Sequence, residues 1–166
     1  SIYSYLLYPN NVTYKVVDIN SKLFDIGKEY ARGKGIKGEI YYDTKLPKSN
    51  ISNIDILYLN TTLQYIDNYQ SKLIELIQYK PLYIIFTRLL ITNTKTFIVN
   101  QNIQGKTTKC IFINFQEIFD IISNNNYKLI FKTPCIEEVL NSSYDDSIPK
   151  HQQIKNSSNV IFERID

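Results

Sequence analysis

Residues 54–87 read IDILYLNTTLQYIDNYQSKLIELIQYKPLYIIFT, and this stretch decides the fold. Ile54–Asn60 (IDILYLN) and Leu82–Thr87 (LYIIFT) are short, nearly continuous apolar runs. Such runs mark strands buried on both faces of a parallel sheet. Between them, Asp67 heads a helix whose Tyr69, Leu73, Leu76 and Ile77 fall on one side and which stops before Pro81. Strand, amphipathic helix and strand together make the crossover unit of an α/β protein.

The same alternation continues outward. Upstream, Val12–Ile19 (VTYKVVDI) is a β-branched strand. Asn20 or Ser21 then caps a helix with Leu23, Ile26, Gly27, Tyr30 and Ala31 on its apolar face, and Gly33 and Gly35 stop it. Glu39–Asp43 (EIYYD) is a further short strand. Downstream, Thr96–Val99 and Cys110–Ile113 flank a polar turn at Gly105, and Asn114 caps a helix that aligns Phe115, Ile118, Phe119 and Ile122. Asn124–Asn126 end that helix, and Tyr127–Thr133 and Val160–Arg164 form a closing antiparallel pair. Glu137–Ser158 is polar and weakly patterned, as expected of a lid, a binding loop or a disordered segment. The expectation is one domain over residues 1–166: α/β, Rossmann-like and doubly wound, a mostly parallel sheet with an antiparallel C-terminal strand pair.

Composition narrows the function classes. With 166 residues and 43% apolar residues, the chain can bury a real core. No apolar run is long enough to cross a bilayer and no secretion signal is legible, so the expected address is cytoplasmic and no membrane partner is expected. The formal charge of +3 is spread along the chain without a basic stripe, so nucleic acid is not an expected partner. His151 is the sole histidine, and Cys110 and Cys135 lack metal spacing. A zinc site does not fit, and both cysteines read as free buried thiols.

Two phosphate-like motifs fail on context. Gly33–Gly38 (GKGIKG) has the letters of a dinucleotide fingerprint but follows a helix and precedes a strand, the reverse of what phosphate binding needs. Gly105–Thr107 (GKT) lacks the earlier glycine of a phosphate loop, since position 100 is Asn100, and reads as a hairpin turn. Without a placed glycine fingerprint, a nicotinamide-dependent oxidoreductase is set aside. Ligands on parallel sheets sit at the carboxyl ends of strands. That rule selects Asp18, Ile19, Asp43, Thr44, Asn60, Thr61, Thr87 and Arg88. Asp18 can accept hydrogen bonds from both hydroxyls of an adenosine ribose, or simply flank a helix. Asp43 lies where such proteins hold the adenine, or serves as a turn residue before Pro47.

Several of these segments resemble a bacterial family of class I, S-adenosylmethionine-dependent methyltransferases. The similarity is carried by Tyr14–Ile19 (YKVVDI), Ile26–Tyr30 (IGKEY) and Ile54–Asp67 (IDILYLNTTLQYID) with its Leu-Gln-Tyr element. It continues in Ile98–Gln101 (IVNQ) and Val160–Arg164 (VIFER). Tyr83–Leu90 (YIIFTRLL) resembles the family's strand ending in Asp-Arg-Thr-Pro, but Thr87, Leu89 and Leu90 depart from it and only Arg88 carries over. The resemblance implies S-adenosylmethionine as cofactor, held by Asp18, Ile19, Asp43, Thr44, Asn60 and Thr61. It implies a small-molecule or sugar acceptor oriented by Gln64, Tyr65, Arg88 and Gln101, with no general base assigned.

The family opens with a central strand and an Asp-Phe-Gly-Gly-type loop that cradles the methionine end of the cofactor. Ser1–Tyr8 (SIYSYLLY) resembles the helix that follows this loop. The expectation is therefore that the first strand and glycine loop are missing and that this chain does not methylate by itself. It would recruit a strand from another chain, as in a homo-oligomer, pair its strands differently, or belong to a longer polypeptide. The alternative to O-methylation of a small molecule or glycan precursor is a non-catalytic Rossmann-like binding or structural module.

Overall fold

The computed structural model describes residues 13–34, 39–46, 54–103, 105–138, 154 and 156–165. The chain divides into two compact units, Ser1–Ile51 and Ser52–Asp166. Ser1–Tyr8, His151 and the glycines at 35 and 38 lie outside the described residues.

In the first unit β1 (Thr13–Val17) leads into α1 (Lys22–Gly33) and then β2 (Glu39–Asp43). The two strands are parallel, with Val17 opposite Asp43. Of the face expected for α1, Gly27 and Ala31 pack and the larger side chains do not. Leu23, Ile26 and Tyr30 are exposed. The face that packs is Phe24, Gly27 and Ala31: Phe24 lies 5.3 Å from the Tyr42 ring, centroid to centroid, and Ala31 is buried. A β-carbon on Gly27 would stand 2.5 Å from the Tyr42 hydroxyl, so only glycine lets the helix approach this closely. Close approach to one tyrosine, and not the size of the side chains, sets the phase.

The second unit holds a four-stranded sheet in the order β3 (Ile56–Asn60), β4 (Tyr83–Leu89), β9 (Asn156–Arg164), β8 (Tyr127–Glu138). The β3–β4 pair is parallel; β9 is antiparallel to both β4 and β8. A three-stranded sheet runs β5 (Ile91–Thr92), β7 (Lys106–Asn114), β6 (Phe97–Ile103), with β6 and β7 forming a hairpin turned at Gly105, φ +79°. The α/β organisation, the antiparallel closing pair and the hairpin reading of Gly105–Thr107 all match expectation.

Helix α2 (Tyr69–Ile77) buries Tyr69, Leu73, Leu76 and Ile77, as its spacing requires. Its cap position is Asn68, not Asp67, and no side chain bonds the first turn. Helix α3 (Phe115–Ser123) is capped as expected, Asn114 Oδ1 accepting from Gln116 N at 2.8 Å. Ile84, Phe86, Val160 and Phe162 of the sheet are fully buried, as are Leu63, Leu73, Ile118 and Ile122. Cys110 packs with Leu90 and Phe112 in a second cluster that Ile154 joins. Both cysteines are free, and only Cys110 is fully buried.

Two expectations need correction. Strand β3 is not buried on both faces: Ile56 is 53% exposed and Tyr58 43%, because β3 is an edge strand with one face uncovered. The segment Glu137–Ser158 is not wholly a loop, since β8 runs through Glu138 and β9 starts at Asn156. Apart from Ile154, the remainder lies outside the described residues.

One carboxylate ties the layers together. Glu117 of α3 accepts from the Tyr69 hydroxyl, from Gln70 Nε2 at 3.2 Å and from Thr96 Oγ1 at 2.8 Å. Thr96 Oγ1 in turn accepts from Asn114 N at 2.9 Å.

Candidate functional site

Parallel pairing brings the sequence-selected residues together in two groups, one in each unit. At the carboxyl ends of β1 and β2, Asp18 N donates to Asp43 O at 3.2 Å. Asp18 Oδ1 accepts from Asn20 N at 2.8 Å, and Asn20 Oδ1 from Lys22 N at 3.3 Å, so the aspartate shapes the entry to α1. Asp43 Oδ1 accepts from Lys45 N at 3.0 Å. In each carboxylate the second oxygen has no protein donor among the described residues. Ile19 and Thr44 stand exposed beside them.

At the carboxyl ends of β3 and β4, Asn60 is opposite Thr87. Asn60 Oδ1 accepts from Thr87 Oγ1 at 2.9 Å and from Thr61 Oγ1 at 3.2 Å. Thr61 N donates to Thr87 O at 2.9 Å. The chain then makes a 3₁₀ turn, Leu63–Tyr65, that buries Leu63 and Gln64 and leaves Tyr65 partly exposed. Gln64 Nε2 donates to Arg88 O at 3.2 Å, while its buried Oε1 has no partner among the described residues. The Tyr65 hydroxyl donates to Gln101 Oε1 at 3.0 Å.

All four residues named for the acceptor side are thus paired across the fold, Gln64 with Arg88 and Tyr65 with Gln101. Burial pushes the Tyr65 phenol above its ordinary range, and the neighbouring Cys110 thiol adds to this. Burial likewise lifts the Cys110 thiol to about 11, with the Tyr65 hydroxyl opposing the shift. At neutral pH both groups keep their protons, so Tyr65 is a hydrogen-bond donor and Cys110 is not a nucleophile.

Arg88 itself sits in a β-bulge. Between the pairs Phe86–Val160 and Leu89–Ser158, β4 has two residues where β9 has only Asn159. Arg88 takes φ +56° and Thr61 φ +51°, so both parallel strands end in left-handed, non-glycine residues.

No protein-family model and no curated protein matches the sequence. Solved structures do match. A methyltransferase from Methanosarcina mazei, described as S-adenosylmethionine-dependent, superposes with a TM-score of 0.61 at 13% identity. It covers 92% of this chain and 82% of its own. The glycopeptide N-methyltransferase MtfA, solved with S-adenosylhomocysteine, gives 0.63 at 8% identity over 98% of this chain and 76% of its own. The N-terminal domain of EvdMO1, solved in the presence of S-adenosylhomocysteine and D-fucose, gives 0.60 at 8% identity over 94% of this chain and 66% of its own.

The fold is that of S-adenosylmethionine-dependent methyltransferases.

Within that fold, three participants escaped the reading of the sequence. Thr87 was noticed for its position but not for its link to Asn60. Tyr58, whose hydroxyl lies 3.0 Å from Thr87 Oγ1, looked like core. Asn159, whose Oδ1 accepts from Arg88 N at 3.1 Å, gave no signal at all. A bulge is a property of two strands, and its partner cannot be read from either one alone.

Proposed function

We propose that the protein serves an S-adenosylmethionine-dependent methyl transfer to an oxygen of a small molecule or of a sugar in a glycan precursor. The observation that carries the reading is the placement of Asp18 and Asp43. Two carboxylates, each with an oxygen to offer, stand side by side at the carboxyl ends of a parallel pair. The nucleoside half of the cofactor fits there, since ribose hydroxyls are donors that a carboxylate can accept in pairs. Within the second unit, Asn60 and Thr61 offer polar groups of their own at the carboxyl ends of the parallel pair β3 and β4. S-Adenosylmethionine bound at such a site supplies a methyl group activated on a sulfonium.

The remaining task of the protein is positional, because methyl transfer depends on in-line alignment of acceptor and donor. The Tyr65–Gln101 pair presents a hydroxyl and an amide, and Arg88 stands near the carboxyl end of β4. Tyr65 keeps its proton, so it orients an acceptor and does not serve as a base. Neighbours solved with S-adenosylhomocysteine support the cofactor, and the presence of D-fucose with the N-terminal domain of EvdMO1 supports a sugar acceptor. The Leu-Gln-Tyr element and Arg88 agree with the family resemblance.

Calorimetry with S-adenosylmethionine tests the reading. Asp18→Ala is expected to lose a hydrogen bond to a charged group, about 1.5–3 kcal/mol or roughly 10- to 150-fold in affinity. Equal affinity in the variant would defeat the assignment. The second reading, a binding module without turnover, is favoured by Thr87, Leu89 and Leu90 standing where the family has Asp, Thr and Pro. Cofactor binding without methyl transfer to any of a panel of hydroxylated sugars would decide for it.

A further inference from the structure

We infer that the exposed apolar stripe of α1 is an interface between two copies of this chain. The two helices pack antiparallel about a two-fold axis, and Lys22 of each copy pairs with Glu29 of the other.

Helix α1 carries more apolar surface than its own unit uses. Phe24 and Gly27 contact Tyr42, and Ala31 is buried. Leu23, Ile26 and Tyr30 remain 48%, 63% and 37% exposed. Spaced three and four residues apart, they form one stripe, turned about 100° from the packed face at 3.6 residues per turn. Tyr30 closes this stripe, with Lys34 Nζ 5.7 Å from the centroid of its ring. Single exposed apolar residues are ordinary, whereas a contiguous row on one helix marks an interaction surface.

The charges beside the stripe identify its occupant. Lys22 and Glu29 are both exposed, and both lie on the flank of the stripe turned away from the packed face. In heptad terms Leu23 and Tyr30 take position a, Ile26 takes d, and both charges take g. An antiparallel pair sets Leu23 against the partner's Ile26, and Ile26 against the partner's Leu23. The same axis brings Lys22 to the partner's Glu29, offset by about 3 Å along the helix, a gap that two long side chains span. The reverse contact forms with it. A parallel pair would set Lys22 against Gly27, which has no side chain to answer it, and would leave only Glu29 paired, with Lys34. It would also align two helix dipoles head to head. Only the antiparallel arrangement pairs both charges, and it matches the surface to itself as an isologous contact requires.

Sedimentation equilibrium of the full chain at low ionic strength, where exposed ion pairs are least screened, tests the interface. The stripe is short, so a Kd on the order of 100 µM is expected. Ile26→Glu should weaken the dimer at least about 100-fold by placing a carboxylate in both halves of the contact. Its circular dichroism should not change, since Ile26 is 63% exposed in the single chain. Lys22→Glu and Glu29→Lys should each weaken it about 5- to 30-fold, because two ion pairs give way to two like-charge contacts. The double variant, in which the charges are exchanged, should return to within about 3-fold of wild type.

A wild-type chain that stays monomeric at about 1 mM overturns the interface and gives the stripe an occupant within the same chain. A dimer indifferent to Ile26→Glu overturns it by placing the contact elsewhere. A double variant as weak as either single one overturns the antiparallel register, since in the parallel arrangement Glu29→Lys would oppose Lys34 whatever stands at position 22.

Discussion

Replacing Gln64 by methionine should leave global stability almost unchanged, an unusual outcome for a polar residue that is 1% exposed. Two opposing terms set the magnitude. The variant loses the hydrogen bond from Nε2 to Arg88 O, worth about 0.5–1.5 kcal/mol. It also removes Oε1, which is buried with no donor among the described residues, a desolvation cost of about 1–3 kcal/mol in the native state. Methionine is unbranched and of similar length, so repacking costs less than about 1.5 kcal/mol. Mid-range values nearly cancel, and the extremes stay within about 2.5 kcal/mol of zero.

Gln64→Glu should behave quite differently. A carboxylate there would face the Arg88 carbonyl without a donor between them, in a site closed to water, at a cost of several kcal/mol near neutral pH. Burial raises the folded pKa of such a carboxyl above the unfolded value of about 4.3. Below about pH 4.3 both states are protonated and the penalty vanishes. As pH rises from there through the raised folded value, stability falls and then levels off. Urea unfolding followed by circular dichroism at pH 4 and pH 7 measures both variants. A loss above about 2 kcal/mol in Gln64→Met would show that Oε1 has a partner after all. Equal stability of Gln64→Glu at the two pH values would refute the burial argument.

Two further outcomes follow from the core. Phe162→Ala should cost about 3–5 kcal/mol in denaturant unfolding, because Phe162 is fully buried and meets Phe86 edge-on at 6.4 Å between ring centroids; a loss below about 1 kcal/mol would mean that β9 is not central to the core. With its thiol pushed up to about 11 by burial, Cys110 should resist a thiol reagent at pH 8 while the partly exposed Cys135 reacts. Because its folded pKa lies above the ordinary value of 9.0, its contribution to stability is complete below pH 9 and lost as pH rises towards 11. The phenols of Tyr65, Tyr69 and Tyr127 shift in the same direction. Equal labelling of both cysteines at pH 8, or an unfolding midpoint unchanged between pH 8 and pH 10.5, would contradict this.

Legibility in the sequence tracked how many layers each segment touches. All four apolar residues of α2 were readable because that helix is packed closely enough for every large apolar side chain on its inner face to find a partner. In α1 the largest side chains misled. Gly27 and Ala31 of the expected face do pack, and the close approach of Gly27 to Tyr42 leaves the larger Leu23, Ile26 and Tyr30 exposed. The run ILYLN looked doubly buried because composition does not distinguish a central strand from an edge. Candidate residues at strand ends were findable from a rule about parallel sheets, and the Tyr65–Gln101 pair from resemblance. Asn159 was not findable by either route, since its role depends on a one-residue mismatch between β4 and β9, 71 positions apart at the contact.

Glu117 has a bearing on the timing of motion in this molecule. It fastens the start of the β6–β7 hairpin, through Thr96, to α2 and α3 together, whereas the far end of the hairpin closes on a glycine turn. Amide hydrogens near Phe97 and Phe112 should therefore exchange only when several elements open at once, and those around the turn by local fraying. Gln101 lies between these regimes, four residues from Phe97 and two from the end of β6. Its clock is that of a hinged arm, so the partner of Tyr65 can depart and return without the core having to open.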